Sequence, residues 1–287
     1  MILKDKIREI KTQLATVVGE REAYWMTRDI MDDVMGYSEV DMLIKGNELL
    51  SDFVLQKVDN IVERVEQGEP IQYVLGWARF EGNRFKVTPD TLIPRPETQE
   101  LVDYIISRHG NEKDLRVIDI GTGSGCIAIS LARGLKFPLV SAIDISQSAL
   151  EVALENAKLL KTQVRFEHRD ALNLQTIGNE RYNIIVSNPP YIADSERAEM
   201  DDRVLAYEPA TALFVPDEDP LRFYRAIAMW GTQVLLPGGA IYYEINPRYA
   251  IEMQSMMRGL GYIDVEVIED MQAKERFVCG KIPNVKW

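Results

Sequence analysis

The chain has 287 residues, 46% of them hydrophobic, with 33 Lys and Arg set against 45 Asp and Glu for a formal net charge of −12. That length suits two domains and that composition fills a sizeable core, while the acidic balance argues against nonspecific binding to phosphate backbones and is easier to reconcile with a basic protein partner. With two histidines and two cysteines, a histidine triad, a histidine-rich metal site and a disulfide framework have almost no material to work with.

Cys126 and Cys279 are expected as buried, reduced thiols. The longest apolar runs fall far short of the roughly 18 residues a bilayer requires, and Met1 to Lys11 is charged, unlike a leader peptide. A cytoplasmic protein with no membrane association is expected.

From Met1 to Trp77 the pattern is helical. Apolar residues recur at three- and four-residue steps in Ile2, Ile7, Ile10 and Leu14, and again in Tyr24, Trp25, Ile30, Met31 and Val34. Ser51 is placed to cap a helix through Phe53, Val58, Ile61, Val62 and Val65 that ends before Gly68 and Pro70. Met26, Met31 and Met35 read as core filling in a small bundle. This segment holds nine basic and fifteen acidic residues, half of the total net charge, and no catalytic constellation. Partner recognition and an acidic solvated surface are both open for it.

Ala78 to Val87 alternates around Gly82-Asn83, which predicts a hairpin within a linker over 78–95. Leu92-Ile93-Pro94-Arg95-Pro96-Glu97-Thr98 is a rigid turn that sets the start of an amphipathic helix through Leu101, Val102 and Ile105. Its Arg and Glu are open between meeting a zwitterionic ligand and capping the helix.

Strands and helices then alternate. Val117–Ile120, Leu139–Ile143, Val164–Phe166, Ile184–Val186 and Ala240–Ile245 read as strands, with helices after Gly125 and from Ser146 to about Leu160. Such alternation predicts an α/β fold, a Rossmann-like, mostly parallel sheet whose ligand crevice lies at the carboxyl ends of the strands. Tyr262 to Ile268 and Arg276 to Ile282 flank a turn too short for a crossover helix, so the last pair should be antiparallel.

Asp119-Ile120-Gly121-Thr122-Gly123-Ser124-Gly125 closes the first of these strands. Its three glycines allow a sharp turn and a close backbone approach to a ligand, but G-x-G-x-G spacing differs from the G-x-G-x-x-G of dinucleotide folds. Asp144 ends the next strand 19 residues past Gly125, where a carboxylate can accept both ribose hydroxyls. Asp170 and Ala171 follow the third strand, where a polar group and neighbouring backbone can read an adenine edge. A nucleoside without phosphates suits these three ends.

Tyr182 to Tyr191 is the stretch around which the chain is organised. Its strand must stop at Asn188, because Pro189 and Pro190 lack the N–H groups that continue a ladder. A side-chain amide, two carbonyls on rigid prolines and the Tyr191 ring can accept hydrogen bonds from a planar –NH₂ group and cover its face. An amide nitrogen so held has its lone pair oriented at an electrophile, which lowers the barrier by positioning without a conventional base. S-adenosylmethionine is a nucleoside without phosphates whose sulfonium methyl is such an electrophile, and it is the expected cofactor.

With these segments in view the chain resembles the HemK/PrmC family of peptide chain release factor glutamine N5-methyltransferases. The resemblance rests on the helical N-terminal domain, Pro94 to Thr98, Gly121 to Gly125, Asp144, Asn188 to Tyr191, and Tyr207-Glu208-Pro209-Ala210-Thr211-Ala212-Leu213. It implies a class I methyltransferase domain over 96–287 preceded by a substrate-recognition domain over 1–77. The implied substrate is the glutamine of the Gly-Gly-Gln loop of bacterial class I release factors, bound in a transient complex by a monomeric enzyme with no direct nucleic-acid contact. Gly121, Thr122, Gly123, Ser124 and Gly125 would line the methionine end of the cofactor, Asp144 would hold the ribose, and Asp170 with Ala171 would border the adenine. Asn188 and the Pro189 carbonyl would accept the amide hydrogens, with Pro190 fixing the turn and Tyr191 against the glutamine.

Two enzymatic alternatives share the Asn-Pro-Pro-Tyr element: methylation of a ribosomal-protein glutamine, and methylation of a nucleic-acid base amine, which would require base extraction and phosphate contacts. A noncatalytic module on the same fold is the third. Ile192 to Asp219, which contains Glu208, has no clear periodicity and is open between a lid and a surface loop. Glu244, at a later strand end, is open between a cavity wall and a helix cap.

Overall fold

Leu3, Lys6, Ile10 and Leu14 form the buried stripe of α1 (Leu3–Val18) in the computed structural model, which describes residues 1–174 and 180–284. The last three residues of the expected 96–287 domain therefore lie outside the described residues. By its internal contacts the chain forms two units, residues 1–77 with 202–207, and residues 78–201 with 208 onward.

In the first unit α1 packs with α2 (Glu20–Met35), α3 (Glu39–Ile44) and α4 (Asp52–Glu66), and α5 (Ile71–Leu75) packs on α2 and α4. Ile10, Leu14, Ile30, Met31, Val58 and Val62 share one core, each fully buried side chain of this size contributing about 1.5–3 kcal/mol. Ser51 caps α4 by accepting the Val54 N–H at 3.3 Å. Met26 and Met31 are buried and Met35 packs against the same cluster, as core filling requires. Tyr24 and Trp25 depart from the expected apolar face. The buried stripe of α2 is Ala23, Met26, Thr27, Ile30 and Met31, and Trp25 lies outside it beneath the Arg28 guanidinium. Lys6 is buried with its ammonium shared between Glu9 and Asp59, the pairing a buried charge needs.

The second unit begins with a hairpin, β1 (Trp77–Phe80) and β2 (Asn83–Lys86). Its turn falls on Glu81 and Gly82, both with positive φ, one residue earlier than the Gly82-Asn83 pair suggested. There follow α6 (Pro96–His109), β3 (Arg116–Ile120), α7 (Cys126–Gly134), β4 (Leu139–Asp144), α8 (Gln147–Leu159), β5 (Arg165–His168) and β6 (Tyr182–Ser187). Beyond β6 come β7 (Ile192–Ala193), then α9 (Asp202–Tyr207), which belongs to the first unit, and, back in the second, α10 (Ala210–Leu213), β8 (Phe214–Val215), α11 (Arg222–Val234), β9 (Leu235–Glu244), α12 (Ala250–Gly259), β10 (Ile263–Glu269) and β11 (Glu275–Lys281). The 192–219 segment, aperiodic in sequence, is thus built of short elements. β7 and β8 form a two-stranded parallel ladder.

The seven-stranded sheet has the order β10-β11-β9-β6-β3-β4-β5. β11 runs antiparallel to both neighbours and the remaining pairs are parallel. β9 starts earlier than its apolar run predicts, and a register shift opposite Tyr182 and Ile184 absorbs Pro237 and the two glycines after it. Leu101, Val102, Ile105, Ile129 and Leu131 cover one face from α6 and α7, and Tyr224, Ile227, Met253 and Met257 cover the other from α11 and α12. The chain leaves β3 for β4 and β5 on one side and returns to β6 on the other. That reversal opens a crevice at the carboxyl ends of β3 and β6. Both cysteines are buried and free. Among the described residues no helix is long and apolar enough to cross a membrane.

Candidate functional site

The crevice is a cavity of about 360 Å³, within the range of small-molecule sites. Gly121 and Gly123, with φ of 76° and 53°, border it, and a Cβ on either would meet nothing within 4 Å. These two glycines leave open space against backbone, the cradle a ligand's close approach requires. Gly125 serves a different purpose. A Cβ there would lie 3.0 Å from the Ala153 Cβ and 3.1 Å from Ile129, so its absence permits α7 and α8 to pack.

Thr122 and Ser124 are buried within the turn and do not face the cavity. The Thr122 hydroxyl donates to Asp119 Oδ2 at 2.6 Å, and the Ala128 N–H donates to the same oxygen at 3.2 Å. Asp119 is fully buried, and burial pushes its carboxyl up to about 7 against the pull of these two donors. Its Oδ1 and the Ser124 Oγ have no hydrogen-bond partner among the described residues. The Asn156 amide, buried on α8, holds the Ser124 carbonyl at 2.8 Å and brackets both backbone groups of Lys86. It ties the glycine turn to the hairpin.

At the end of β4, Asp144 Oδ2 accepts the Gly123 N–H at 2.8 Å and Oδ1 accepts the Ser146 N–H at 2.9 Å. Burial pushes this carboxyl up, and those amides draw it back down. The carboxylate therefore reaches the cavity in a fixed orientation, with acceptor capacity remaining. Past β5, Asp170 and Ala171 line the cavity beside Ile145 and Leu172, and Asp170 Oδ1 accepts the Leu172 N–H at 2.8 Å. Ala171 presents only a methyl there.

Asn188, Pro189 and Pro190 line the same cavity from the end of β6. The Asn188 Nδ2 donates to Thr98 Oγ1 at 3.2 Å, Thr98 donates to Glu244 Oε2 at 2.7 Å, and the Tyr191 hydroxyl donates to Glu244 Oε1 at 3.1 Å. Thr98 and Glu244 are each 2% exposed. Burial pushes the Glu244 carboxyl up, and the two hydroxyls and the nearby Arg276 guanidinium pull it down. Burial also raises the Tyr191 phenol, with the neighbouring Glu244 charge adding to it. Tyr191 lies behind the prolines rather than on the cavity wall.

The far wall comes from Pro209, Thr211, Ala212 and Phe214. The Tyr191 N–H donates to the Leu213 carbonyl at 3.2 Å and the β7–β8 ladder adds to this anchoring. Glu208, buried, accepts the Ile93 N–H at 3.1 Å and pairs with the Arg95 guanidinium. Arg95 therefore joins the turn before α6 to this wall.

Of the residues expected in the site, Gly121, Gly123, Asp144, Asp170, Ala171, Asn188, Pro189 and Pro190 meet at one cavity, whereas Thr122, Ser124, Gly125 and Tyr191 support it from behind. The sequence left Glu244 open between a cavity wall and a helix cap; its carboxylate does neither and instead receives the Thr98 and Tyr191 hydroxyls behind Asn188, while Thr98 was read only as part of the turn before α6 and Asn156 was given no role. An acid ending the apolar run Ile-Tyr-Tyr-Glu is a detectable signal for Glu244. Nothing local marks Asn156, since its partners are 32 and 70 residues away.

Residues 98–209 match the family model of the methyltransferase small domain, and residues 7–76 match that of the PrmC N-terminal domain. The chain is 44% identical to a protein named release factor glutamine methyltransferase from Bacteroides thetaiotaomicron, over 94% of this chain and 97% of the relative. A protein of the same name from Flavobacterium psychrophilum is 36% identical over 97% and 98% of the two chains. Among solved structures, a Pyrococcus furiosus methyltransferase superposes with a TM-score of 0.53 at 16% identity, covering 78% of this chain and 99% of that one. A T. thermophilus 16S rRNA N2 methyltransferase, solved with AdoMet and guanosine, gives 0.53 at 17% identity over 72% and 49%. These two likenesses bear on the fold alone.

Proposed function

The chain belongs to the family of release factor glutamine methyltransferases, and from that premise we infer that it transfers a methyl group from S-adenosylmethionine to the side-chain amide N5 of a glutamine in a peptide chain release factor. The observation that carries the site assignment is that Asn188-Pro189-Pro190 borders the same cavity as Gly121, Gly123 and Asp144.

The residues present fit the cofactor. Gly121 and Gly123 leave open space along their backbone, and Asp144 is held by two backbone amides with lone pairs left for ribose hydroxyls. Asp170 and Ala171 border the adenine in this reading. When bound, the cofactor supplies a sulfonium methyl as electrophile.

The chain's own residues act on the acceptor. Asn188 Oδ1 and the Pro189 carbonyl accept the two N–H groups of the glutamine amide, and the prolines keep those acceptors from moving. Polarising both N–H bonds raises electron density on a nitrogen otherwise delocalised into its carbonyl, and fixes its lone pair along the transfer direction. The proton leaves nitrogen for water as the new bond forms, so no residue here is assigned as base.

The substrate is the Gly-Gly-Gln glutamine of a class I factor, met as a transient complex by a single copy of the chain in the cytoplasm. The helical unit, which carries half of the chain's net negative charge, helps recognise that factor. Mass spectrometry of a class I release factor incubated with this protein and S-adenosylmethionine tests the reading. One added methyl on that glutamine is expected. A bound cofactor with no methyl on an unmodified, folded factor would overturn the substrate and turn the search to a ribosomal protein.

A further inference from the structure

Asn188 presents an oxygen and an NH₂ group of nearly equal size on a torsion with two similar minima. Only one of the two orientations helps a substrate amide, whose hydrogens need acceptors. The other sets NH₂ against NH₂. A rigid backbone at Pro189 and Pro190 does not choose between them, since the ambiguity lies in the side chain.

The polar groups behind Asn188 do choose. Ionised, Glu244 can only accept, and the two hydroxyls it receives together with the Arg276 guanidinium beside it, itself paired with Asp270, favour that form against the burial that opposes it. It receives two hydroxyls, from Tyr191 at 3.1 Å and from Thr98 at 2.7 Å. Thr98 has one proton, and that proton is committed to Glu244. What Thr98 can offer Asn188 is therefore a lone pair, and the group 3.2 Å away must be the NH₂. We propose that Glu244 and Thr98 form a polarised relay that fixes the Asn188 amide with Oδ1 toward the acceptor nitrogen, making both of them positioning residues for methyl transfer. The proposal rests on the reading of Asn188 as the acceptor site.

The relay also accounts for the Pro94 to Thr98 segment. Pro96 occupies the first position of α6 and Arg95 anchors the turn on Glu208. Thr98, two residues on, is thereby delivered from the first turn of a helix to the end of a strand 90 residues later in the chain. Reversing the amide would set the NH₂ on the acceptor side and turn Oδ1 against the lone pairs of Thr98, with both sides then mismatched in a buried setting.

The test is a double-mutant cycle on the full chain, reading single-turnover methyl transfer to a release factor and, separately, cofactor affinity by calorimetry. Thr98→Val keeps the shape and removes the hydroxyl. It should lower the rate roughly 10- to 100-fold with cofactor affinity unchanged, and Thr98→Ser should restore the rate to within about threefold. In an Asn188→Ala background Thr98→Val should change the rate less than about threefold, because it acts only through that amide. If Thr98→Val fails to fold, Thr98→Ala takes its place in the same cycle. Equal losses in both backgrounds, or a Val variant as fast as the parent, would overturn the relay while leaving the enzyme's activity established. A parent chain that binds cofactor and transfers nothing would overturn the substrate reading, and the relay with it.

Discussion

The donor and acceptor sides of the cavity are built on different principles. On the donor side, Gly121 and Gly123 supply bare backbone and Asp144 is oriented by amides at 123 and 146. Asp144 is thus placed by residues close in sequence or at an adjacent strand end, and the glycine turn is tied from behind by Asn156 on α8. On the acceptor side one amide, Asn188, is held by a helix residue 90 positions away, which is in turn held by a carboxylate 146 positions from that helix residue. The donor side binds through what the backbone leaves open, and the acceptor side acts through which way a side chain is turned. Affinity for the cofactor and rate of transfer should therefore be separable by mutation.

The largest effect expected from breaking that separation is at Asn188. Asn188→Ala should cost roughly 100- to 1000-fold in turnover, the scale of losing a preorganised polar contact, with cofactor affinity within about twofold of the parent. A matching loss of cofactor affinity, measured by calorimetry, would assign Asn188 to the donor side instead. Asp144→Ala should show the reverse pattern. Cofactor binding weakens by about 1–3 kcal/mol as charge-assisted ribose bonds are lost, while turnover at saturating cofactor stays close to that of the parent. Unchanged binding would remove Asp144 from the site.

The smallest effect concerns the floor of the donor side. Asp119 holds its carboxyl at about 7 when folded, against about 3.9 in an unfolded chain. A raised folded value means the folded state binds its proton more tightly. The stabilising contribution is thus complete below about pH 4 and is lost as pH rises through about 7. Asp119→Asn keeps one oxygen for Thr122 and Ala128 and removes the titration. Denaturant melts should show the variant gaining roughly 2–3 kcal/mol on the parent between pH 5 and pH 8, the linkage value, while its new NH₂, in place of a partnerless oxygen, costs the same at both pH values and cancels. Parallel pH dependences for both proteins would show that Asp119 does not carry this linkage.

The same contrast separates what could be read in the sequence from what could not. The strand series, the antiparallel last pair and the cap at Ser51 follow from short-range periodicity and capping chemistry, and all are present. Asn188 declared itself because two prolines must end a strand. The glycine turn was legible as a turn, but the division of labour within it was not, since the packing of Gly125 on Ala153, which sets it apart from the bare Gly121 and Gly123, depends on a helix more than 20 residues on. Thr98 and Arg95 stood inside a recognisable segment without their partners, because a hydroxyl or guanidinium does not announce which distant carboxylate it will meet. Glu208 and Glu244, in regions of no clear pattern or at a strand end, are those carboxylates. The stretch from 192 to 219 gave no period because its elements are too short to show one.

The most direct test is a crystal structure with S-adenosylhomocysteine and a glutamine-containing release-factor peptide bound. The predicted result has the ribose on Asp144 and the glutamine amide donating to Asn188 Oδ1, with the Asn188 NH₂ still on Thr98. A glutamine held away from Asn188, or an Asn188 amide turned to present its NH₂ to the peptide, would contradict the account.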